Sequence, residues 1–140
     1  MARNPSPPES PSAEARALTL ATAYASAYEA KDAVAYLSLF SRDADYVDYA
    51  VQVRGKIRSL REELRRSFQR ADFRLSVHSI FVSSDGAFAA LRGTYTDTTR
   101  SEHPVSVPIA SILEIRNGEI QKEYLYYDGS LFKRHFHAAL

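Results

Sequence analysis

The stretch VSVPIASILEIRNGEIQKEYLYYD, residues 105–128, gives the clearest indication of the fold. Apolar and polar residues alternate on both sides of Asn117-Gly118, a dipeptide typical of two-residue hairpin turns. The alternation predicts one strand from Val105 to Ile115 and a second strand from Ile120 to Asp128. The turn predicts that the two strands pair antiparallel.

The segment before this hairpin repeats the same arrangement. Asp85-Gly86 separates two further alternating runs, which predict strands at Phe73–Val82 and Phe88–Thr96. Two successive hairpins form an antiparallel meander, so crossover helices and a parallel sheet are not expected.

Upstream of residue 73, apolar residues recur with the period of a helix. Asp and Ser at helix starts are favourable N-caps because their side chains accept hydrogen bonds from free backbone N–H groups. The predicted elements are a helix that Ser12 caps and that runs to about Ala30, a shorter helix that Asp32 caps and that runs through Phe40, a strand at Asp45–Tyr49, and a helix that begins after Gly55.

These elements predict an α+β domain in which helices pack on one side of a strongly curved antiparallel sheet. Such an arrangement leaves a cone whose open mouth leads into a pocket. A brief helix is expected at 130–136, after the last strand. The leader 1–12 is rich in proline and serine and is predicted to be disordered. Residues 13–140 are predicted to form one domain.

Composition narrows the classes of function. Lys and Arg number 18 against 17 Asp and Glu, so a net charge of +1 gives no electrostatic basis for binding nucleic acid. No apolar run is long enough to cross a membrane, and no signal-like stretch opens the chain, so a cytoplasmic protein is expected. The chain has no cysteine, and His135 and His137 have no evident third ligand. No metal is therefore expected.

Asp128 is the first catalytic candidate. Tyr124, Tyr126 and Asp128 share one parity of the last predicted strand and are expected to point to the same face. A carboxyl at the mouth of the cone, walled by aromatic rings, would have a raised pKa and could act as a general acid/base. The alternative is that Asp128 only caps the terminal helix.

Asp48 is the second candidate. Its neighbours Val47, Tyr49 and Val51 are apolar or aromatic, so its carboxyl could be partly desolvated. Two acids that approach one cavity from different elements are driven to different pKa values and different roles. The alternative is a turn residue that faces water.

Tyr24 and Arg92 are less clear-cut. Tyr24 lies on the apolar stripe of the first helix, which favours a place in the core, although a buried hydroxyl needs a partner. Arg92 interrupts an apolar strand. It could pair with an acid in the cavity or point to solvent.

The chain resembles the nuclear transport factor 2-like (cystatin-like) superfamily and, within it, the SnoaL-like polyketide cyclases. The resemblance rests on a run of short matches in the expected order: Asp43-Ala44 followed by Asp48, Val53-Arg54-Gly55, Asn117-Gly118-Glu119-Ile120, Tyr124 with Asp128 four residues on, and Leu131. It implies a cone-shaped fold, often dimeric through the outer sheet face, and a general acid/base at the position of Asp128. It implies no cofactor and no metal.

Two related families add expectations. The resemblance to ketosteroid isomerases places Tyr24 at their oxyanion-hole tyrosine and Asp48 at their base. Ser111, or Ala110 in another alignment, replaces their second, aspartate donor. Limonene-epoxide hydrolases match at Tyr127-Asp128 but need an Arg-x-Asp, whereas Arg92 is followed by Gly93 and Thr94. That difference counts against epoxide opening.

The sequence therefore predicts a cofactor-independent cyclase or isomerase that acts on a small, apolar-to-amphipathic metabolite of polyketide or terpenoid type. The alternatives are a non-catalytic ligand-binding or interaction module and, less favoured, an epoxide hydrolase. Asp128 and Asp48 are the predicted catalytic residues. The predicted substrate-binding residues are Tyr24, Tyr28, Tyr46, Arg92, Ser111, Leu113, Tyr124 and Tyr126.

Overall fold

The computed structural model describes residues 10–70, 73–98 and 103–128. It confirms an α+β fold in which three helices pack against a six-stranded sheet. The elements are α1 (Ala13–Ala30), α2 (Ala33–Leu37), β1 (Phe40–Asp48), β2 (Val53–Lys56), α3 (Ile57–Gln69), β3 (Phe73–Val82), β4 (Phe88–Asp97), β5 (Val105–Arg116) and β6 (Glu119–Tyr127). The predicted helix at 130–136, His135, His137 and the first nine residues of the leader lie outside the described residues.

The two predicted caps are present. The Ser12 side chain accepts a hydrogen bond from the N–H of Ala15 at 3.1 Å, and that of Asp32 accepts one from Ala35 at 3.0 Å. The second helix is shorter than predicted and ends at Leu37. Phe40, which was predicted to belong to this helix, instead begins β1.

The sheet order is β2-β1-β6-β5-β4-β3. Strands β3 to β6 form the predicted antiparallel meander. The sheet as a whole is mixed, however, because β1 pairs parallel with β6. The sequence predicted neither this parallel pairing nor the short edge strand β2, because neither of the two pairings of β1 is marked by a tight hairpin signal.

The sheet bends at a bulge in β3 between Val77 and Ser79, opposite Gly93 of β4. A Cβ atom at Gly93 would lie 2.2 Å from the carbonyl oxygen of Ser76. Only glycine permits this close approach, and bulges of this kind increase the local twist of a sheet. The bend curves the sheet around the helices.

The helices cover the concave face of the sheet. The buried residues of α1 and α3 include Ala21, Tyr24, Leu64 and Phe68, which belong to one core cluster with the inward residues of β1, β5 and β6. Within the described part of the chain, no helix combines the length and apolar character that crossing a bilayer requires.

Candidate active site

Two rows of side chains on the concave face bring the polar core residues together. Strand registers align Tyr46 of β1, Glu123 of β6 and Leu113 of β5 in one row. The next row contains Asp48, Leu125 and Ser111 in the same strand order. Strands lie about 4.8 Å apart, so Asp48 and Ser111 are separated by roughly 10 Å across Leu125.

Glu123 is the most completely buried acid on this face, with 0% of its surface exposed. The Tyr36 hydroxyl donates to its Oε1 at 2.5 Å, and the Tyr24 hydroxyl donates to its Oε2. Burial raises the pKa of Glu123 to about 7, although the two tyrosine hydrogen bonds lower it. A carboxyl in this setting is close to half-ionised at neutral pH.

Three tyrosine rings surround this carboxyl. The ring centroids of Tyr28 lie 5.0 Å from those of Tyr24 and Tyr36, in edge-on contacts that favour aromatic pairs. Burial, and then the nearby Glu123 charge, hold the pKa of all three hydroxyls well above the usual range. These tyrosines are therefore neutral hydrogen-bond donors.

Ser111 extends the network towards the second row. Its Oγ lies 3.1 Å from the Tyr24 hydroxyl oxygen, and its side chain is buried. Leu113, on the same strand, is fully buried beside Glu123 in the first row. Both side chains face inward, and their roles in substrate binding remain predictions.

Asp48 is held at the end of β1 and is only 6% exposed. Its Oδ2 accepts a hydrogen bond from the Tyr127 hydroxyl at 3.1 Å and lies 3.5 Å from that of Tyr46. Its Oδ1 accepts from the N–H groups of Ala50 and Val51 at 3.0 and 3.3 Å. Asp48 is thus a turn residue, but the alternative that it faces water is wrong.

The surroundings of Asp48 change its acidity. Burial raises its pKa, and the hydrogen bonds from the Val51 N–H and from Tyr127 partly oppose that effect. The Tyr127 ring stacks on Tyr95, with centroids 5.9 Å apart and planes within 7°. A cavity of about 250 Å³ adjoins Asp48 at the turn between β1 and β2. Asp48 therefore combines a tuned carboxyl with a place in the wall of this cavity, which is completed by Val47, Tyr49, Gln52, Val53 and Arg54.

The predicted orientation of β6 is wrong by one residue. Tyr124 and Tyr126 do share a face, but it is the outer one, where both stack with Tyr49. Tyr126 is 43% exposed and Asp128 is exposed, so the dry aromatic setting expected for Asp128 is absent. The inward residues of this strand are Glu123, Leu125 and Tyr127.

Arg92 also points away from the cone. It pairs with Ala110 on the outer face of β4 and β5, and its side chain is exposed. It therefore does not face Asp48 or Glu123. Of the two readings that the sequence left open, the solvent-facing one is correct.

Neither Glu123 nor Tyr36 is among the site residues predicted from the sequence. One signal for Glu123 was available. Leu125 is the only purely apolar residue near the end of β6, so it indicates which face of the strand is buried, and Glu123, two residues earlier, lies on that same face. The contacts with Tyr24 and Tyr36, which are 99 and 87 residues away, are not visible in the local sequence. Among the described residues, no group of three or more His, Asp or Glu side chains is arranged to hold a metal ion.

A profile of the SnoaL-like domain family matches residues 21–123, well over half of the chain. The matched segment contains the residues of both rows except Leu125, and it contains the tyrosines of α1 and α2. A search of the curated proteins returned no match.

Several solved structures share the fold. A candidate polyketide cyclase from Xanthomonas campestris pv. campestris superposes with a TM-score of 0.71 at 20% identity, over 86% of this chain and 96% of that one. An LEH-like epoxide hydrolase from M. tuberculosis gives 0.68 at 22% identity, over 84% and 87% of the two chains. A protein with a ketosteroid isomerase-like fold from Catenulispora acidiphila DSM 44928, in complex with trimethylamine, gives 0.65 at 22% identity, over 77% and 84% of the two chains. At these identities the likeness shows the fold alone.

Proposed function

The chain belongs to the SnoaL-like domain family, and we propose that it is a cofactor-independent cyclase or isomerase. The proposed substrate is a small, apolar-to-amphipathic metabolite of polyketide or terpenoid type. Its reaction begins with proton removal from a carbon next to a carbonyl group. The fold is of the cyclase/isomerase type, whereas the substrate and the chemistry are proposals.

The observation that carries the proposal is the setting of Asp48. One carboxylate oxygen is held by the turn N–H groups and the other by the Tyr127 hydroxyl, which fixes the side chain beside a cavity. Its raised pKa makes the carboxylate a stronger base than an ordinary aspartate. A fixed base of this kind is what abstraction of a weakly acidic C–H proton needs.

Tyr24 and Ser111 supply the complementary function. Their hydroxyls lie across Leu125 from Asp48, on the same face of the sheet. Donors placed there would stabilise the enolate oxygen that forms when Asp48 takes the proton. In an isomerase, the proton returns to another carbon of the enolate. In a cyclase, the enolate carbon attacks a second carbonyl, whose oxygen receives the proton.

Asp48 takes the role that the sequence resemblance gave to Asp128. Asp128 is exposed, whereas Asp48 is buried. The outer-face tyrosines Tyr49, Tyr124 and Tyr126 are instead proposed to form the interface of a homodimer, since two of them leave nearly half of their surface exposed.

Deuterium exchange at the carbon next to a carbonyl tests the proposal without the natural substrate. A panel of cyclic ketones and 1,3-diketones is incubated with the protein in D₂O, and the exchange is followed by NMR. Asp48→Asn should lower the catalysed rate by roughly 10²- to 10⁴-fold. Asp128→Asn is the matched control and should leave the rate unchanged. Loss of exchange in Asp128→Asn, with Asp48→Asn active, would refute the assignment.

A non-catalytic binding module is the second candidate. The observation in its favour is the stacked pair of rings, Tyr95 and Tyr127, beside Asp48, because aromatic surfaces bind apolar ligands without any need for turnover. Wild-type protein that binds ketones but exchanges no protons would support this candidate. Epoxide hydrolysis is less favoured, because Arg92 and Thr94 both lie in rows of the outer face.

A further inference from the structure

We propose that Glu123 is a positioning residue: its own proton decides how strongly the Tyr24–Ser111 hydroxyl pair donates a hydrogen bond to a bound oxyanion. The inference rests on the proposed function, in which that pair stabilises an enolate. Glu123 itself contacts no substrate, because Tyr24 and Tyr36 occupy both of its oxygens.

The ionised state of Glu123 weakens the donors. A carboxylate only accepts hydrogen bonds, and each tyrosine hydroxyl has one hydrogen to give. Both tyrosine hydrogens then point at Glu123. Ser111, 3.1 Å from the Tyr24 oxygen, is left to donate its own hydrogen to Tyr24. A ligand can then take the serine hydrogen only at the cost of that bond, and the carboxylate charge opposes the approach of an oxyanion.

The protonated state releases one donor. The carboxyl hydrogen now occupies one of the two Glu123–tyrosine contacts, so one tyrosine must turn its hydrogen elsewhere. Tyr24 has a ready acceptor in Ser111, at 3.1 Å. When Tyr24 donates to Ser111, the serine hydrogen is free to bond an oxygen in the row that it shares with Asp48.

The groups around Glu123 keep both states accessible. Tyr24 and Tyr28 face it from α1, Tyr36 from α2, and Tyr46 and Asp48 from β1. None of these described groups is a cation that would stabilise the ionised form of Glu123. The pKa of Glu123, about 7, places the change near neutral pH. The negative charge of Asp48 raises that pKa, so an ionised base favours protonated Glu123.

Binding of 2,4-dinitrophenol tests this directly. The compound is a coloured phenolate throughout the range from about pH 5 to about pH 9, so only the protein changes state. In wild type, its Kd should be constant at low pH and should rise above the Glu123 pKa, by up to about tenfold per pH unit, since binding is then coupled to uptake of one proton. Absence of binding at low pH, or a flat profile, would overturn the proposal.

Glu123→Gln is the decisive variant. The amide keeps the shape of the carboxyl and presents one donor and one acceptor, so it imitates the protonated state at every pH. Its Kd should match that of wild type at low pH and stay there as the pH rises. Ser111→Ala should weaken binding at low pH and remove the pH dependence. A merely structural Glu123 would leave the pH profile of a folded Glu123→Gln protein like that of wild type.

A measurement on wild type covers the case in which Glu123→Gln does not fold. The carboxyl carbon of Glu side chains is labelled with ¹³C and titrated by NMR. The buried carboxyl must titrate with the same midpoint as dinitrophenolate binding, and separate midpoints would overturn the inference. Asp48→Asn should abolish proton exchange from ketones yet keep the binding profile, with its midpoint at lower pH. Failure of the proposed function is thereby distinguished from failure of the role of Glu123.

Discussion

Replacing Glu123 with glutamine should make the protein progressively more stable than wild type as the pH rises towards neutrality. The pKa of Glu123 rises from its ordinary value of 4.5 to about 7 in the folded protein. Below pH 4.5 the side chain is protonated in both the folded and the unfolded chain. Between 4.5 and 7 the unfolded chain loses the proton while the folded one keeps it, which favours unfolding.

The size of the effect follows from the pKa shift. One unit corresponds to about 1.4 kcal/mol, so wild type should lose about 3 kcal/mol of unfolding free energy across this window. Glutamine does not titrate and keeps the two tyrosine contacts in the geometry of the protonated acid. The difference between the variant and wild type should therefore grow from near zero to about 3 kcal/mol and then level off.

Urea unfolding at a series of pH values, from about 4.5 to about 8, measures this difference. Other titrating groups, Asp48 included, are present in both proteins and cancel to first order. Glu119→Gln is the matched control, because Glu119 lies on the same strand but is exposed. Its stability should follow that of wild type. Parallel curves for Glu123→Gln and wild type would refute the argument that the Glu123 carboxyl is held protonated by burial.

Two further substitutions test the site and the fold. Tyr127→Phe removes a hydrogen bond that lowers the Asp48 pKa, so the acidic limb of the pH–rate profile for ketone proton exchange should move to higher pH. An acidic limb that stays in place, or moves to lower pH, would contradict the role of Tyr127 in setting the pKa of Asp48. Gly93→Ala places a methyl group 2.2 Å from the Ser76 carbonyl oxygen and should cost about 1–3 kcal/mol in urea unfolding. Gly55→Ala is its control, with its nearest contact at an ordinary 3.6 Å, and equal losses in the two variants would contradict the close-approach argument.

The meander was predictable because its turns are local. Asn117-Gly118 adopts the positive φ values of a tight hairpin, 54° and 74°, which few other dipeptides accept. The parallel pairing of β1 with β6 joins residues such as Asp48 and Leu125, far apart in sequence and linked by no tight turn. Such a contact is decided by packing of the whole domain, so the sequence pattern carried no trace of it.

The inner face of β6 was misassigned because tyrosine suits either side of a sheet. Its ring can pack in a core, as Tyr127 does, or cover an outer face, as Tyr124 does against Tyr49. Glu123 follows Gln121 and Lys122, and a run of three polar residues is typical of a solvated surface. Its burial depends on hydroxyl groups delivered by α1 and α2. Only the assembled fold brings these hydroxyl groups within hydrogen-bonding distance of the carboxyl.

The two buried acids are best understood together. Asp48 and Glu123 occupy adjacent rows on neighbouring strands. If both were fully ionised, two negative charges would lie close together in a poorly solvated core. Backbone N–H groups stabilise the charge of Asp48, whereas Glu123 has only neutral hydroxyls for partners. The proton is therefore expected on Glu123 and the charge on Asp48. That division of roles is the one that a base acting beside a hydrogen-bond donor requires.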